Sequence, residues 1–378
     1  MAEINRKSIH FRFYDNRQKY LLFVNTCSEK WAIANRVGIE LPKLQIFPPA
    51  LRIFDAGLGD GTVLTRVMRH THKLFPNVPF YIVGKEISLE DIRLTLQKLP
   101  DRFYEHPSTV FVVTNMLYSE ATTLTPRSAK GKAELNWREI PLTGNSTHDF
   151  EEQISGIESD LADGWQVELD EKTGNPKYVK PSVFILYRKD HQVLLDNIIP
   201  RPGKISKEYN LIIASQPFRL GAPINLKIKS VLCPLAKSLA PGGRMITIQS
   251  YGNDPGMEII RQIWPNEDPF IHNRFLLLEL LRAEITQKDL YFSPGSDAQS
   301  LFKYVMHTLP SEVQESIGTS TLMAAWNAAV YVSQIEEGRL EMIMQNPKYL
   351  DVTADILKKR RGLWFNDESF IISRRRKK

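Results

Sequence analysis

The sequence predicts an α/β fold with a doubly wound, mostly parallel sheet, and two observations lead to that prediction. Three runs of apolar and β-branched residues alternate with helix-like stretches: LRIFDA (51–56), FYIVGKE (80–86) and TVFVVTN (109–115). Runs that are apolar at nearly every position are typical of parallel strands covered by helices on both faces. A glycine-rich loop also follows the first run, at the carboxyl end of a strand, where such sheets bind ligands.

The first 50 residues form a leader before the first strand. Thr26 to Glu29 fits a capping box, in which Ser or Thr is followed by Glu three residues later, and predicts a helix that ends near Gly38. Tyr14 and Tyr20 in this leader are candidates for a lid over a ligand, although aromatic residues in such segments more often anchor packing.

The alternation continues after the glycine loop and breaks at about residue 120. Strand-like runs between about 120 and 205 predict an inserted β-meander: WQVEL (165–169), SVFILY (182–187) and QVLLDNII (192–199). The alternation returns with YNLIIAS (209–215) and RMITIQS (244–250), and the helix between these two runs is interrupted by Pro234.

A second insertion, 255–360, is predicted to be mostly helical. Its stretch from Leu322 to Ile335 is almost free of charge, which indicates core packing. The chain then reads GLWFNDESFIISRR, which we interpret as two short strands around Asn366 to Glu368, a hairpin on the sheet edge.

Composition excludes several classes of protein. The chain has 378 residues, a net charge of +6 and a pI of about 9.1, a mild excess that is concentrated in 358–361 and 374–378. The simpler interpretation of these basic runs is a solvated helix face and a tail, rather than a contact to an acidic partner. Two distant cysteines and no Cys/His cluster predict no structural metal, and with no membrane span or signal peptide we expect a cytoplasmic protein, monomeric or homodimeric.

The loop FDAGLGDGT (54–62) suits a nucleoside ligand but neither a dinucleotide nor a simple phosphate. Its glycines follow a G-x-G-x-G spacing, and Thr62 stands where a dinucleotide loop needs its third glycine. No Gly-Lys-Ser/Thr follows, and Asp55 and Asp60 would repel a phosphate. A carboxylate at Asp55 suits a ligand with a positive centre.

Asp55-x-Gly57-x-Gly59-x-Gly61 resembles the first motif of class I S-adenosylmethionine-dependent methyltransferases. Glu86 ends the second strand 25 residues after Gly61, where that family holds the ribose hydroxyls, and the turn LAPGG (239–243) matches the family's turn before its fifth strand. The resemblance covers roughly 50–118, 208–250 and 362–374.

The resemblance implies a Rossmann-like, seven-stranded, mostly parallel sheet with a C-terminal antiparallel hairpin, spanning 51–374 between the leader and a basic tail, 375–378. It implies S-adenosylmethionine as the cofactor and places adenine near the end of the third strand. The implied cofactor-binding residues are Asp55, Gly57, Leu58, Gly59, Gly61, Glu86, Ile87, Asn115, Met116 and Ser215.

The end of the fourth strand is similar to the Asn/Asp-Pro-Pro-aromatic motif of amino-group methyltransferases, but Ser215 and Gln216 depart from it. The substrate-binding candidates are Gln216, Pro217, Phe218 and Tyr251. The partial match suggests nitrogen as a candidate target. The two insertions, which could wall a pocket on the substrate side, together with the cofactor motifs suggest a small-molecule acceptor; the catalytic residues stay unassigned. Alternatives are a protein or RNA substrate, to which the basic runs would bind, an aminopropyl transferase, or a non-catalytic binding protein on this fold.

Overall fold

The protein is described by a computed structural model that covers residues 17–169, 176–203, 205, 208–308, 310–313 and 317–376. Within these ranges the strands, in chain order, are β1 (Leu51–Asp55), β2 (Phe80–Lys85), β3 (Thr109–Thr114), β4 (Asn136–Leu142), β5 (Val167–Leu169), β6 (Pro176–Tyr178), β7 (Ser182–Arg188), β8 (Tyr209–Ser215), β9 (Leu239–Ser250), β10 (Leu290–Ser293), β11 (Leu301–Val305) and β12 (Trp364–Arg374).

The helices lie between these strands and before the first of them. They are α1 (Arg17–Thr26), α2 (Glu29–Gly38), α3 (Thr62–Leu74), α4 (Leu89–Leu96), α5 (Leu99–Glu105), α6 (Tyr118–Ala121), α7 (Ala129–Ala133), α8 (Thr147–Ser155), α9 (Glu158–Gly164), α10 (Gln192–Leu195), α11 (Ile224–Leu226), α12 (Cys233–Lys237), α13 (Pro255–Ile263), α14 (Arg274–Glu284), α15 (Asp297–Ser300), α16 (Thr319–Val332), α17 (Glu337–Met344) and α18 (Lys348–Arg360). A π-helical segment, Lys227–Leu232, joins α11 to α12 just before Pro234, which has no N–H to donate to the preceding turn.

Ten of the described strands form one mixed sheet in the order β10-β12-β9-β8-β1-β2-β3-β7-β4, with β11 also paired to β12. The five central strands β3, β2, β1, β8 and β9 are parallel to one another. The chain order reverses between β1 and β8, and in open α/β sheets this reversal opens a crevice at the carboxyl ends of the two strands. The predicted α/β class and its parallel strands are confirmed.

The sheet is covered on both faces, as its continuous apolar strands require. In β1, Phe54 packs into the core on one face and Ile53 into the core on the other. Helices α2 to α5 and α8 to α9 cover the Ile53 face, while α12, α14 and the π-helical segment cover the Phe54 face. A third apolar cluster joins α1, α13, α16 and α18 to β11 and β12.

The insertion after β3 is not the separate β-meander that the sequence suggests. Its strand β7 pairs antiparallel with β3, and β4 pairs parallel with β7, so both extend the main sheet beyond seven strands; only β5 and β6 form a pair of their own. The predicted strand 192–199 is wrong, because it begins with α10. Leu195, Ile198 and Ile199 are buried while Val193 and Leu194 are exposed, which is helical rather than alternating spacing.

The predicted C-terminal hairpin is also wrong. Strand β12 runs unbroken through Asn366 to Glu368, with β9 antiparallel on one side and β10 and β11 on the other. The polar triplet suggested a turn, but Asp367 and Glu368 are buried within the sheet. Glu368 accepts hydrogen bonds from Gln249 Nε2 at 2.7 Å and Arg274 Nη1 at 3.0 Å, so this charge is satisfied inside the fold.

The helical insertion, 255–360, is thus interrupted by β10 and β11. Its uncharged stretch forms α16, whose residues Ala325 to Val330 are buried, so the prediction of core packing is confirmed there. No helix in the described ranges is long and apolar enough to cross a membrane.

The described part of the leader contains helices α1 and α2, but the predicted capping box is absent. Helix α2 begins at Glu29 after Ser28, whose Oγ accepts the N–H of Val305 at 3.0 Å instead of capping the helix. The side chain of Thr26 donates to the carbonyl of Leu22. The leader is therefore tied to β11, while Tyr14 lies outside the described residues.

Candidate functional site

The glycine loop joins β1 to α3 at the carboxyl edge of the sheet. Gly59 and Gly61 adopt positive φ values of 53° and 76°, a region that residues with a Cβ rarely occupy. A Cβ on Gly61 would lie 2.6 Å from Oγ1 of Thr95 in α4. Thr95 donates to the carbonyl of Gly59 at 2.9 Å, so the loop conformation is fixed by glycine and by a neighbouring helix.

Glu86, directly after β2, holds this loop from the side. Its Oε2 accepts the N–H of Gly59 at 2.7 Å, and its Oε1 accepts those of Ile87 and Ser88 at 2.6 and 2.9 Å. A carboxylate has about four lone-pair positions, so three backbone donors leave room for about one ligand hydroxyl.

Asp55 is buried beneath the loop, and its Oδ1 accepts the N–H of Gly57 at 3.1 Å. Burial is the main cause that raises the pKa of this carboxyl to about 7, and the nearby charge of Glu86 adds to it. A cationic ligand group nearby would favour the ionised carboxylate.

Asp60 is buried, and its charge is paired with a lysine. Its carboxylate receives the Lys98 ammonium at 2.7 Å and the hydroxyl of Thr62. Of the two aspartates, Asp55 is therefore the one whose charge would repel a phosphate, since Asp60 already has a cation beside it.

A cavity of about 280 Å³ opens beside this loop, at the crevice between β1 and β8. Eight of the residues predicted from the sequence line it: Gly57, Gly59, Glu86, Ile87, Ser215, Gln216, Pro217 and Phe218. The structure thus brings the glycine loop, the acid after β2 and the segment after β8 to one place.

Six other predicted residues are not in the cavity lining: Asp55, Leu58, Gly61, Asn115, Met116 and Tyr251. Leu58 packs against Gly84, and Met116 lies in the apolar core. The side-chain amide of Asn115 donates hydrogen bonds to the carbonyls of Gly164 and Lys180 and accepts the N–H of Ser182. These hydrogen bonds anchor the inserted segment to the end of β3. Tyr251 donates its N–H to the carbonyl of Asn366.

The segment after β8 is held in a strained turn. Gln216 has a φ of 46°, and its Nε2 donates to the hydroxyl of Ser250 at 3.1 Å. The carbonyl of Pro217 accepts the hydroxyl of Tyr118 at 2.9 Å. Strained, non-glycine backbone held by its surroundings is common at functional sites.

The leader and the helical insertion together close one side of the cavity. Tyr20 in α1 lies near Gly59, and its ring centroid is 6.0 Å from that of Tyr331 in α16. Lys30 in α2 lies 5.6 Å from the Tyr20 ring centroid. This placement is consistent with the expected lid role of Tyr20. Of the two insertions, the helical one lines the cavity, with Tyr331 among its residues. None of the described residues of 120–205 is in the lining, but Trp165 donates its indole N–H to the carbonyl of Glu86.

Sequence reasoning missed several cavity residues. Lys85 ends an otherwise apolar strand, and this position, directly before Glu86, was a usable signal. Asp91, in the first turn of α4, is buried, and its pKa is raised to about 7 by burial and then by the charge of Glu86. Tyr331 stands in a run that predicts core packing, so nothing local distinguished it.

The cavity lining contains both acidic and basic side chains. Its acids are Glu29, Glu86 and Asp91, and its bases are Lys30, Lys85 and Arg219. In the described part of the chain, no group of three or more His, Cys, Asp or Glu side chains is arranged to hold a metal ion.

Neither a protein-family model nor a curated protein matches the sequence. Among solved structures the chain is similar to PKMT2 from Rickettsia typhi, at 9% identity over 91% of this chain and 52% of that one, with a TM-score of 0.29. It is similar to the same protein in complex with AdoHcy at 10% identity over 90% and 53%, with a TM-score of 0.28. This chain spans about half the length of that protein, and at these TM-scores the similarity carries no conclusion about function.

Proposed function

We propose that this protein is an S-adenosylmethionine-dependent methyltransferase that acts on a small molecule. The observation that carries the proposal is the link between Glu86 and Gly59. It joins an acid after β2 to a glycine loop after β1, at the crevice where the order of the parallel strands reverses.

The residues present fit that cofactor. Glu86 retains room to accept one ribose hydroxyl, and Asp55 would place a negative charge beneath the loop for the ammonium of the methionine part. Gly57 and Gly59 let a ligand approach the backbone closely. Ile87, which is 38% exposed, offers an apolar surface on which the adenine ring could pack. When bound, the cofactor supplies an electrophilic methyl group on a sulfonium.

The acceptor side would be formed by the segment after β8. Methyl transfer needs an aligned nucleophile and the exclusion of water, so a general base is optional. Gln216 donates its Nε2 to Ser250, and its amide oxygen has no hydrogen-bond donor among the described residues. That oxygen suits the N–H of an amine, which supports nitrogen as the target atom.

A small acceptor is favoured over a macromolecule by the cavity and by the basic residues. Tyr20 and Tyr331 close one side of the cavity, and its volume of about 280 Å³ is just below the usual range for ligand sites. The residues that suggested an acidic partner are partly paired: Arg360 with Glu258, and Arg374 with Asp289 and Glu208.

Calorimetry with S-adenosylmethionine and S-adenosylhomocysteine tests the cofactor. We expect both to bind, and Asp55→Ala and Glu86→Ala each to weaken binding about tenfold or more, roughly 1.4 kcal/mol. Glu152→Ala, at a solvent-exposed side chain, is the control and should bind normally. No binding of either compound to the wild-type protein at high micromolar concentration would contradict the proposal.

Turnover then separates the alternatives. A small-molecule fraction of a cell extract should support release of S-adenosylhomocysteine, with little dependence on salt. Turnover that requires a macromolecular fraction and falls steeply with salt would instead indicate a protein or RNA substrate. Cofactor binding without turnover in any fraction would indicate a binding protein.

A further inference from the structure

One lysine in the cavity lining, Lys85, lacks among the described residues the polar partner that buried cations need. The side chain of Lys85 is buried, with 7% of the residue exposed, and its ammonium lies 4.7 Å from the centroid of the Tyr118 ring. Among the described residues it has no hydrogen bond and no ion pair. Burying an ammonium without a partner is costly, and the ring satisfies it only in part.

A second buried lysine nearby shows the usual arrangement. Lys227 also lies over an aromatic ring, 4.9 Å from the centroid of Phe218. Its ammonium, however, donates to the carbonyl of Leu220 at 2.7 Å and lies 3.1 Å from Nδ1 of His272. Lys227 is not in the cavity lining, whereas Lys85 is. Of these two lysines, the one without a hydrogen bond or ion pair among the described residues is the one that lines the cavity.

The neighbouring acid does not fill that role. Glu86 follows Lys85 directly, but its two oxygens accept three backbone N–H groups, and the two residues form no salt bridge. Successive side chains of a strand point to opposite faces of the sheet. Val83 lies two residues before Lys85, so the two side chains point to the same face of the sheet. Val83 packs in the core on the Phe54 face, which also contains Met116 and contacts Tyr118.

The side chain of Lys85 lies over Tyr118, which contacts the segment after β8, while the backbone carbonyl of Lys85 accepts the N–H of Leu58 in the glycine loop at 3.1 Å. The ring that the Lys85 side chain covers belongs to Tyr118, whose hydroxyl donates to Pro217 in the segment after β8. Pro217 and Phe218 line the cavity together with Lys85.

We propose that Lys85 binds an anionic group of the acceptor, a carboxylate or a phosphate, so that the substrates are acidic small molecules. This inference rests on the proposed function, whose acceptor it specifies. The anion would complete the coordination of the ammonium, and Tyr118 would hold the lysine in place.

Calorimetry with a matched pair of probes tests this. The protein, saturated with S-adenosylhomocysteine, is titrated with benzoate and with benzamide, which differ in charge but hardly in shape; inorganic phosphate is the second anionic probe. We expect benzoate or phosphate to bind at least about tenfold more tightly than benzamide. Lys85→Met should abolish that preference, and Lys227→Met, the matched control, should keep it. Melting curves check that both variants fold, and Lys85→Arg, which keeps the charge, should retain part of the preference.

Three results would overturn the inference: no preference for either anion in the wild-type protein, a preference that survives in Lys85→Met, or a loss of S-adenosylhomocysteine affinity in Lys85→Met. The last result would assign the ammonium to the cofactor instead. If S-adenosylhomocysteine does not bind the wild-type protein, the proposed function fails. The same titrations without it still decide whether Lys85 forms an anion site.

Discussion

Oε2 of Glu86 accepts the backbone N–H of Gly59 at 2.7 Å, although 27 residues separate the two in the chain. The bond ties the ends of two neighbouring parallel strands together at the crevice. The carboxylate that is expected to contact a ligand therefore also shapes the loop on which that ligand would rest.

Glu86→Gln should loosen this loop. An amide has a single oxygen, and its NH₂ group would face a backbone donor, so at least one N–H loses its acceptor. We expect a loss of about 1–3 kcal/mol in the free energy of unfolding, measured by urea denaturation. Glu152→Gln, at an exposed position, is the control and should change little. Equal stability of the Glu86 variant and the wild type would show that these bonds do not hold the loop.

Asp55 should make stability depend on pH. Its pKa is raised to about 7 in the folded protein, mainly by burial, so the folded state holds a proton that the unfolded chain, with a pKa near 4, has released. Stability from this group is therefore present below about pH 4 and is lost as the pH rises through about 7.

Asp55→Asn removes that dependence. The wild-type free energy of unfolding should fall more steeply between pH 4 and 7 than that of the variant, by up to about 1.4 kcal/mol per pH unit. Denaturation at a series of pH values measures this. Other buried acids such as Asp91 are present in both proteins, so the difference between their free energies of unfolding reports on Asp55 alone. Parallel profiles of this free energy against pH would contradict the prediction.

Gly61→Ala should be strongly unfavourable. The new Cβ would meet Thr95 at 2.6 Å in a backbone conformation with a φ of 76°. We expect a loss of roughly 1–3 kcal/mol in stability and weaker cofactor binding. Gly338→Ala is a matched control, because nothing lies within 4 Å of its added Cβ and it sits in α17. That control should be neutral, or stabilising by up to about 1 kcal/mol, and similar losses in both variants would refute the steric argument.

Glu368→Ala tests the continuous strand β12. The Arg274–Glu368 ion pair has side chains that are 2% and 1% exposed. The variant leaves the buried guanidinium with Asp297 as its one charged partner among the described residues, beside the carbonyl of Pro294. We expect a loss of about 3–5 kcal/mol in thermal or chemical denaturation. Asp196→Ala breaks an exposed pair with Arg201 and should cost less than about 1 kcal/mol. A small loss for Glu368→Ala would favour an exposed turn at this position.

Local sequence patterns were sufficient to predict the features that a single strand or loop determines. The strands around Asp55 and Ser215 are apolar at nearly every position, and that pattern alone indicates a parallel, doubly covered sheet. The spacing of Gly57, Gly59 and Gly61 is by itself enough to exclude a dinucleotide loop. Glu86 lies one helix and one strand later, where the resemblance implied a cofactor-binding acid; the contact between Glu86 and the loop was not predicted.

The predictions that were wrong concern secondary structure that depends on contacts with distant parts of the chain. Asn366 to Glu368 has the composition of a turn, but Arg274 and Gln249 satisfy Glu368 inside the sheet. Ile198 and Ile199 belong to an apolar run whose helical spacing is visible only once its buried and exposed members are known.

The sequence by itself therefore determined the class of the fold and the order of its central elements, because apolar periodicity and glycine geometry act over a few neighbouring residues. Only the tertiary structure decided what surrounds the ligand position. It brought Tyr20 from the leader and Tyr331 from α16 to one side of the cavity, and it left the Lys85 ammonium without a partner there among the described residues. These contacts join residues far apart in the chain, so no local pattern records them.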